Sequence, residues 1–122
     1  MNHKHLLIYA QVNKPPTDAV QLNDWLANLV SLIDMKILMG PYSKYLDVEG
    51  NRGITGIVVI ETSHISCHFW DEEKPGLLQM DVYSCKEFDS SIVEKALQAF
   101  EPILIKTILI DRNDGLTICK SN

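Results

Sequence analysis

The fold this sequence predicts is a two-layer α+β sandwich: an antiparallel sheet with two helices on one face. Three observations lead there. The apolar runs arrive in the order strand, helix, strands, then strands, helix, strand, so the second half is a rough copy of the first. Both helical stretches carry a single apolar stripe, which suits two helices lying side by side on one sheet. Several strands are apolar on both sides, so the face without helices is expected to meet a second copy, giving an αββα homodimer. At 122 residues, the chain 1–122 is one domain's worth and can bury one core.

His5 to Val12 (HLLIYAQV) is short and mostly apolar and reads as the first strand, ended by Lys14-Pro15-Pro16. Asp18 with Gln21 has the form of a capping box. Leu22, Trp25, Leu26, Leu29, Leu32 and Ile33 then recur at helical spacing over about four turns. Trp25 lies in that stripe and reads as core. Lys36 to Met39 resumes as strand, Gly40-Pro41 bends or breaks it, and Tyr42 to Asp47 continues it. Gly50, Gly53 and Gly56 mark a tight hairpin region with a bulge. Their spacing fits neither a Rossmann fingerprint nor a P-loop, which excludes a phosphate cradle of either kind.

Ile57 to Ile60 is continuously apolar and β-branched, as in a strand covered on both faces. Ser63 to Trp70 alternates, with Ile65, Cys67 and Phe69 on one face and His64, Ser66, His68 and Trp70 on the other. Cys67 is therefore a core thiol, and His68 lies beside Trp70. Asp71 to Gly76 is a charged turn. Leu77 to Cys85 follows as a strand, with Leu78, Met80 and Val82 opposite Asp81, Tyr83 and Cys85. Ser91 with Glu94 reads as a second capping box, opening a helix whose stripe is Ile92, Val93, Ala96, Leu97 and Phe100. Pro102 stops it, Ile103 to Ile110 is a final strand, and Asp111 to Gly115 turns into a short tail.

The composition, 46% hydrophobic and 22% charged, is that of a soluble globular protein. No apolar run is long enough to span a bilayer, and MNHKHLLIYAQ lacks the layout of a signal peptide, so the expected location is cytoplasmic, with no membrane partner. Cys67, Cys85 and Cys119 have unrelated spacings, which fit neither a disulfide framework nor a metal knuckle; they are read as free thiols. A net charge of -5 without clustered Lys and Arg argues against a nucleic-acid partner. A cationic small molecule suits an acidic chain better.

The densest chemistry lies in residues 53 to 85. Gly53-Ile54-Thr55-Gly56 is followed by Ser63-His64-Ile65-Ser66-Cys67-His68-Phe69-Trp70-Asp71-Glu72 and then Asp81-Val82-Tyr83-Ser84-Cys85. In this register the stretch resembles the small, prokaryotic type of S-adenosylmethionine decarboxylase, whose pattern is approximately G-[VI]-[ST]-G, E-S-H-[IL]-[ST]-I-H-T-W-P-E and D-[VL]-[FY]-[ST]-C-G. Decarboxylating an amino acid requires an electron sink that no side chain supplies. Neither a cup for pyridoxal phosphate nor a lysine in context for it is evident, and no metal is expected.

The resemblance implies a pyruvoyl group made from Ser63. Its hydroxyl would attack the Thr62 carbonyl, and β-elimination would cut the chain between Thr62 and Ser63, leaving a β chain of residues 1 to 62 and an α chain headed by the ketone. The resemblance gives Thr55 and His68 roles in this self-cleavage; an imidazole titrating near neutrality suits proton transfer. In the mature site the ketone would form a Schiff base with S-adenosylmethionine. Cys85 would return a proton to Cα, and Trp70 and Glu72 would lie near the substrate, with active sites between protomers. The product is the aminopropyl donor for spermidine and other polyamines.

Some positions depart from the pattern. Thr62 stands where Glu is usual, Asp71 replaces Pro, Lys86 replaces Gly, and Asp47-Val48-Glu49 replaces an aromatic and a proline. Two other readings follow. One is a sister decarboxylase using arginine or ornithine; the other is an unprocessed, non-catalytic homologue that binds a small molecule or a partner subunit.

Overall fold

A computed structural model describes residues 2–122. Its first strand, β1 (Lys4–Val12), buries Leu6, Ile8, Ala10 and Val12 and turns Leu7 and Tyr9 outward, the period-two pattern of a sheet covered on one side. Helix α1 (Ala19–Leu32) follows, then β2 (Ile37–Leu46), β3 (Gly53–Ile60), β4 (Ser63–Trp70) and β5 (Gly76–Ser84). Helix α2 (Ser90–Ala96) continues into a 3-10 turn (Leu97–Phe100), and β6 (Pro102–Asp111) and β7 (Thr117–Ser121) complete the chain. The sheet runs β2-β3-β4-β5-β1-β6-β7, and every paired strand is antiparallel. The α+β class and the antiparallel sheet with two helices are as the sequence predicts.

The core lies between the helices and one face of the sheet, formed by Leu6, Ile8, Ala10 and Val12 of β1, Ile54, Val58 and Ile60 of β3, Ile65, Cys67 and Phe69 of β4, and Leu78, Met80 and Val82 of β5. Leu22, Leu26, Leu29 and Val30 of α1 are buried against it. Gly56 is what lets α1 come so near: a Cβ there would stand 2.8 Å from Leu22 Cδ2 and 2.9 Å from Leu26 Cδ1. Trp25 joins the two helices, its ring 4.8 Å from that of Phe100 and its Nε1 donating to Ala96 O at 3.1 Å. This agrees with its reading as a packing residue.

Four expectations are corrected. Asp18 caps α1 but receives Val20 N–H, one residue short of the capping-box bond to Gln21. The cap of α2 is Asp89, not Ser91. Asp89 keeps an extended backbone (φ -91°, ψ 110°), whereas Ser91 is already helical and both its N–H and its hydroxyl bond the Asp89 carboxylate. The tail is a seventh strand, because residues 117–121 pair with the open edge of β6. Within the chain, Ile57 to Ile60 is covered on one face only: Val58 and Ile60 are buried, while Ile57 is 40% exposed. Leu7, Tyr9 and Ile108 are similarly exposed on that helix-free face.

Candidate active site

At one end of the sheet, the pairing of Ile60 with Ser63 leaves Glu61 and Thr62 as a two-residue hairpin turn between β3 and β4. Ser63 itself takes φ 146°, a value L side chains rarely adopt, which costs about 1–3 kcal/mol and persists only where the surroundings impose it. The surroundings here are β5 and the residues just after it. Ser63 pairs with Ser84, and Cys85 N–H donates to the Thr62 carbonyl at 2.9 Å. Ser84 is fully buried; its hydroxyl meets Thr62 Oγ1 at 3.0 Å, and Thr62 Oγ1 meets Met35 Sδ at 3.1 Å. Cys85 is a half-buried free thiol.

Toward the other end of β4, Thr55 of β3 lies opposite His68, with Thr55 Oγ1 3.0 Å from His68 Nδ1. Gly53 makes that end possible, because a Cβ there would lie 1.7 Å from Phe69 O. The His68 and Trp70 rings are 6.0 Å apart, and Trp70 Nε1 donates to Asn51 Oδ1 at 2.8 Å. Glu72 accepts the backbone N–H of Arg52 at 2.9 Å and lies 3.5 Å from its guanidinium. The loop 47–52 thus fixes both Trp70 and Glu72. His68 borders a groove of ≈ 680 Å³ on the helix-free face, whose walls include Tyr9, Gln79, Asp81, Lys106 and Ile108.

The two ends do not meet. Ser63 and His68 are five residues apart on an extended strand, about 16 Å at 3.3 Å per residue. The structure brings Thr62 and Ser63 to Cys85, and Thr55 to His68 and Trp70, as two separate half-sites. Cys67, by contrast, faces the core, where burial pushes its thiol up to about 12 and leaves it inert.

Between the half-sites lies a cluster that sequence reasoning missed. Asp81 takes His5 Nε2 at 3.3 Å and His64 Nε2 at 3.2 Å on one oxygen, and the Ser66 hydroxyl at 2.9 Å on the other. Arg112 Nη1 is 3.3 Å from His5 Nδ1, and its guanidinium lies 4.2 Å from the centre of the Tyr83 ring. A guanidinium can only donate, so His5 Nδ1 accepts and its proton sits on Nε2, aimed at Asp81. Burial, with a smaller contribution from Arg112, holds this imidazole below its ordinary value near 6.5 despite Asp81. The outward parity of Asp81 on β5 was the available signal; its partners on β1 and β4 were not.

Among the described residues, no group of three or more His, Cys, Asp or Glu side chains is arranged to hold a metal ion. No helix among them is long and apolar enough to cross a membrane.

A helix-backed antiparallel sheet, with imidazole, thiol and hydroxyl groups grouped at two points along one strand, defines the class of site. The sequence model described as S-adenosylmethionine decarboxylase matches residues 5–113, and the chain belongs to that family. It is 42% identical over 65 residues to an S-adenosylmethionine decarboxylase proenzyme of Archaeoglobus fulgidus, covering 50% of this chain and 54% of that protein. A proenzyme of the same name from Persephonella marina is 37% identical over 63 residues, covering 50% of this chain and 46% of the relative. These matches span about half the length of the curated relatives. The crystal structure of the adenosylmethionine decarboxylase from Aquifex aeolicus aligns with a TM-score of 0.69 at 25% identity, over 99% of this chain and 97% of that one.

Proposed function

We propose that the chain is the proenzyme of a pyruvoyl-dependent S-adenosylmethionine decarboxylase, working in polyamine synthesis as a homodimer. The observation that carries the reading is the Thr62 carbonyl, held at 2.9 Å by Cys85 N–H beside a serine with φ 146°. A carbonyl that already accepts a fixed backbone donor is polarised, and the same donor stabilises the oxyanion that attack would create. Unfavourable backbone geometry at Ser63 is relieved when the Thr62–Ser63 amide breaks. Ser63 is thereby suited to self-cleavage, and the residues around it fit a pyruvoyl group at the new terminus. That group supplies the electron sink for loss of carbon dioxide.

The chain's own residues supply the rest. His68, held through Nδ1 by Thr55, moves protons during processing; Cys85 delivers one to the substrate carbon afterward. Trp70 offers a π face to a cationic sulfonium or an adenine, and the Glu72 carboxylate, beside Arg52, accepts hydrogen bonds from ribose hydroxyls.

The separation of the half-sites supports a dimer whose active sites are shared. Two helix-free faces packed about 10 Å apart around a two-fold axis crossing β4 near Ser66 would set Ser63 and Cys85 of one protomer opposite Thr55 and His68 of the other. The exposed Leu7, Tyr9, Ile57 and Ile108 would be buried by the same contact.

Carbon dioxide release from S-adenosylmethionine, arginine and ornithine tests the assignment. Release from S-adenosylmethionine alone is expected, absent in Ser63→Ala. Cys85→Ala is expected to cleave itself, because the backbone donor survives the substitution, yet to turn over at least about a hundredfold more slowly. Release from arginine or ornithine instead would reassign the substrate.

A further inference from the structure

We infer that Thr62 is held for the acyl shift by a clamp of its own, a one-way chain of hydrogen bonds through Ser84 to Met35. The inference rests on the self-cleavage reading and adds three positioning groups to it. The family pattern has Glu at this position, so the clamp belongs to this chain's own sequence.

The direction of the chain follows from proton counting. Lys86 N–H donates to Ser84 Oγ at 3.0 Å. Ser84 has one hydroxyl proton, and the nearer acceptor is Thr62 Oγ1 at 3.0 Å; Met35 Sδ is 3.7 Å away. Thr62 Oγ1 in turn directs its proton to Met35 Sδ at 3.1 Å. Every donor has one target. Ser84 is fully buried and Met35 nearly so, at 8% exposure, so solvent offers little competition.

Thr62 is consequently fixed at two points, its side chain by Ser84 and Met35 and its carbonyl by Cys85 N–H. In the acyl shift a bond forms between Ser63 Oγ and the Thr62 carbonyl carbon, and the bond from that carbon to the Ser63 nitrogen breaks. The hydroxyl proton ends on the released amine. No oxidant or second substrate enters. The reaction needs the face of the peptide plane turned to Oγ, and a two-residue turn can rock about its flanking bonds. A β-branched residue with its hydroxyl bound has one χ1 setting, which stops that motion. Crowding at the β-branched carbonyl is offset by this fixed orientation.

The test follows newly synthesised full chain by intact mass, measuring the first-order rate of fragment appearance. Thr62→Val keeps shape and branching but lacks the hydroxyl; it is expected to slow cleavage at least about tenfold, equivalent to about 1.4 kcal/mol of barrier. Thr62→Ser should return to within about threefold of the parent, and Ser84→Ala should slow as Thr62→Val does. Hydroxylamine, which cuts esters, should release fragments from Thr62→Val no faster in proportion than from the parent, because less ester forms.

Thr62→Val cleaving within about twofold of the parent, or accumulating an ester that hydroxylamine cuts, overturns the clamp. If either variant fails to fold, Met35→Leu, which conserves volume and removes only the last acceptor, is expected to fold and to slow cleavage about threefold; an unchanged rate overturns the inference. A parent chain that never cleaves sinks the self-processing reading instead, so the two failures are distinct.

Discussion

Ser63→Ala and His68→Ala chains, each unable to complete processing alone, should rescue one another when made together. The basis is the separation of about 16 Å along β4, far beyond the reach of a direct or single-water proton transfer. If His68 serves the Ser63 of a partner, a mixed dimer has one site with both residues intact and one with neither. Random pairing of equal amounts puts about half of the His68→Ala chains into mixed dimers, so about half of them should be cleaved, and none of the Ser63→Ala chains. Co-expression with different tags, purification through both tags and intact-mass measurement reads this directly. In the doubly purified fraction, cleavage of the His68→Ala chain should approach completion. A doubly tagged complex in which that chain stays whole would refute the shared site, since the partner's imidazole would then be present and idle.

Two further outcomes concern the frame of the site. Gly53→Ala places a methyl 1.7 Å from the Phe69 carbonyl oxygen, a backbone atom that cannot swing aside, so urea denaturation should show a loss of about 3 kcal/mol or more; a loss under about 1 kcal/mol would mean the strand end relaxes freely. His5, whose folded-state pKa is depressed by burial and by Arg112, contributes stability that is full above the ordinary value near 6.5 and is lost as the pH falls below it, because protonation costs more in the folded chain than in the unfolded one. Thermal unfolding followed from pH 7.5 to 5.5 should therefore fall more steeply for the parent than for His5→Gln, and equal slopes would contradict the assignment.

The face each residue occupies on β4 and β5 was legible in the sequence, because a two-residue period needs only local pattern. So were the core position of Cys67 and the pairing of His68 with Trp70. Distances along the strand were less well read. Ser63, His68 and Cys85 sit close in sequence and at one sheet, but the extended strand sets Ser63 and His68, five residues apart, about 16 Å from one another. Contacts between distant parts of the chain were not legible at all: Asp81 meets His5 across 76 positions through the register of β5 on β1, and Thr62, in the turn after β3, meets Met35, just before β2, across 27. The capping box at Ser91 misled because Asp89, two residues earlier, offers a carboxylate to the same amide. The tail gave too short and too exposed a pattern to read as a strand; it becomes one only because β6 leaves an edge to pair with.

Intact-mass analysis of the purified, assembled protein is the most direct check on the whole account. Two fragments are predicted, residues 1–62 ending in an ordinary carboxylate and residues 63–122 beginning with a ketone in place of the serine amine. One species of full-length mass, persisting through long incubation, would mean that the Thr62 carbonyl is held but never attacked.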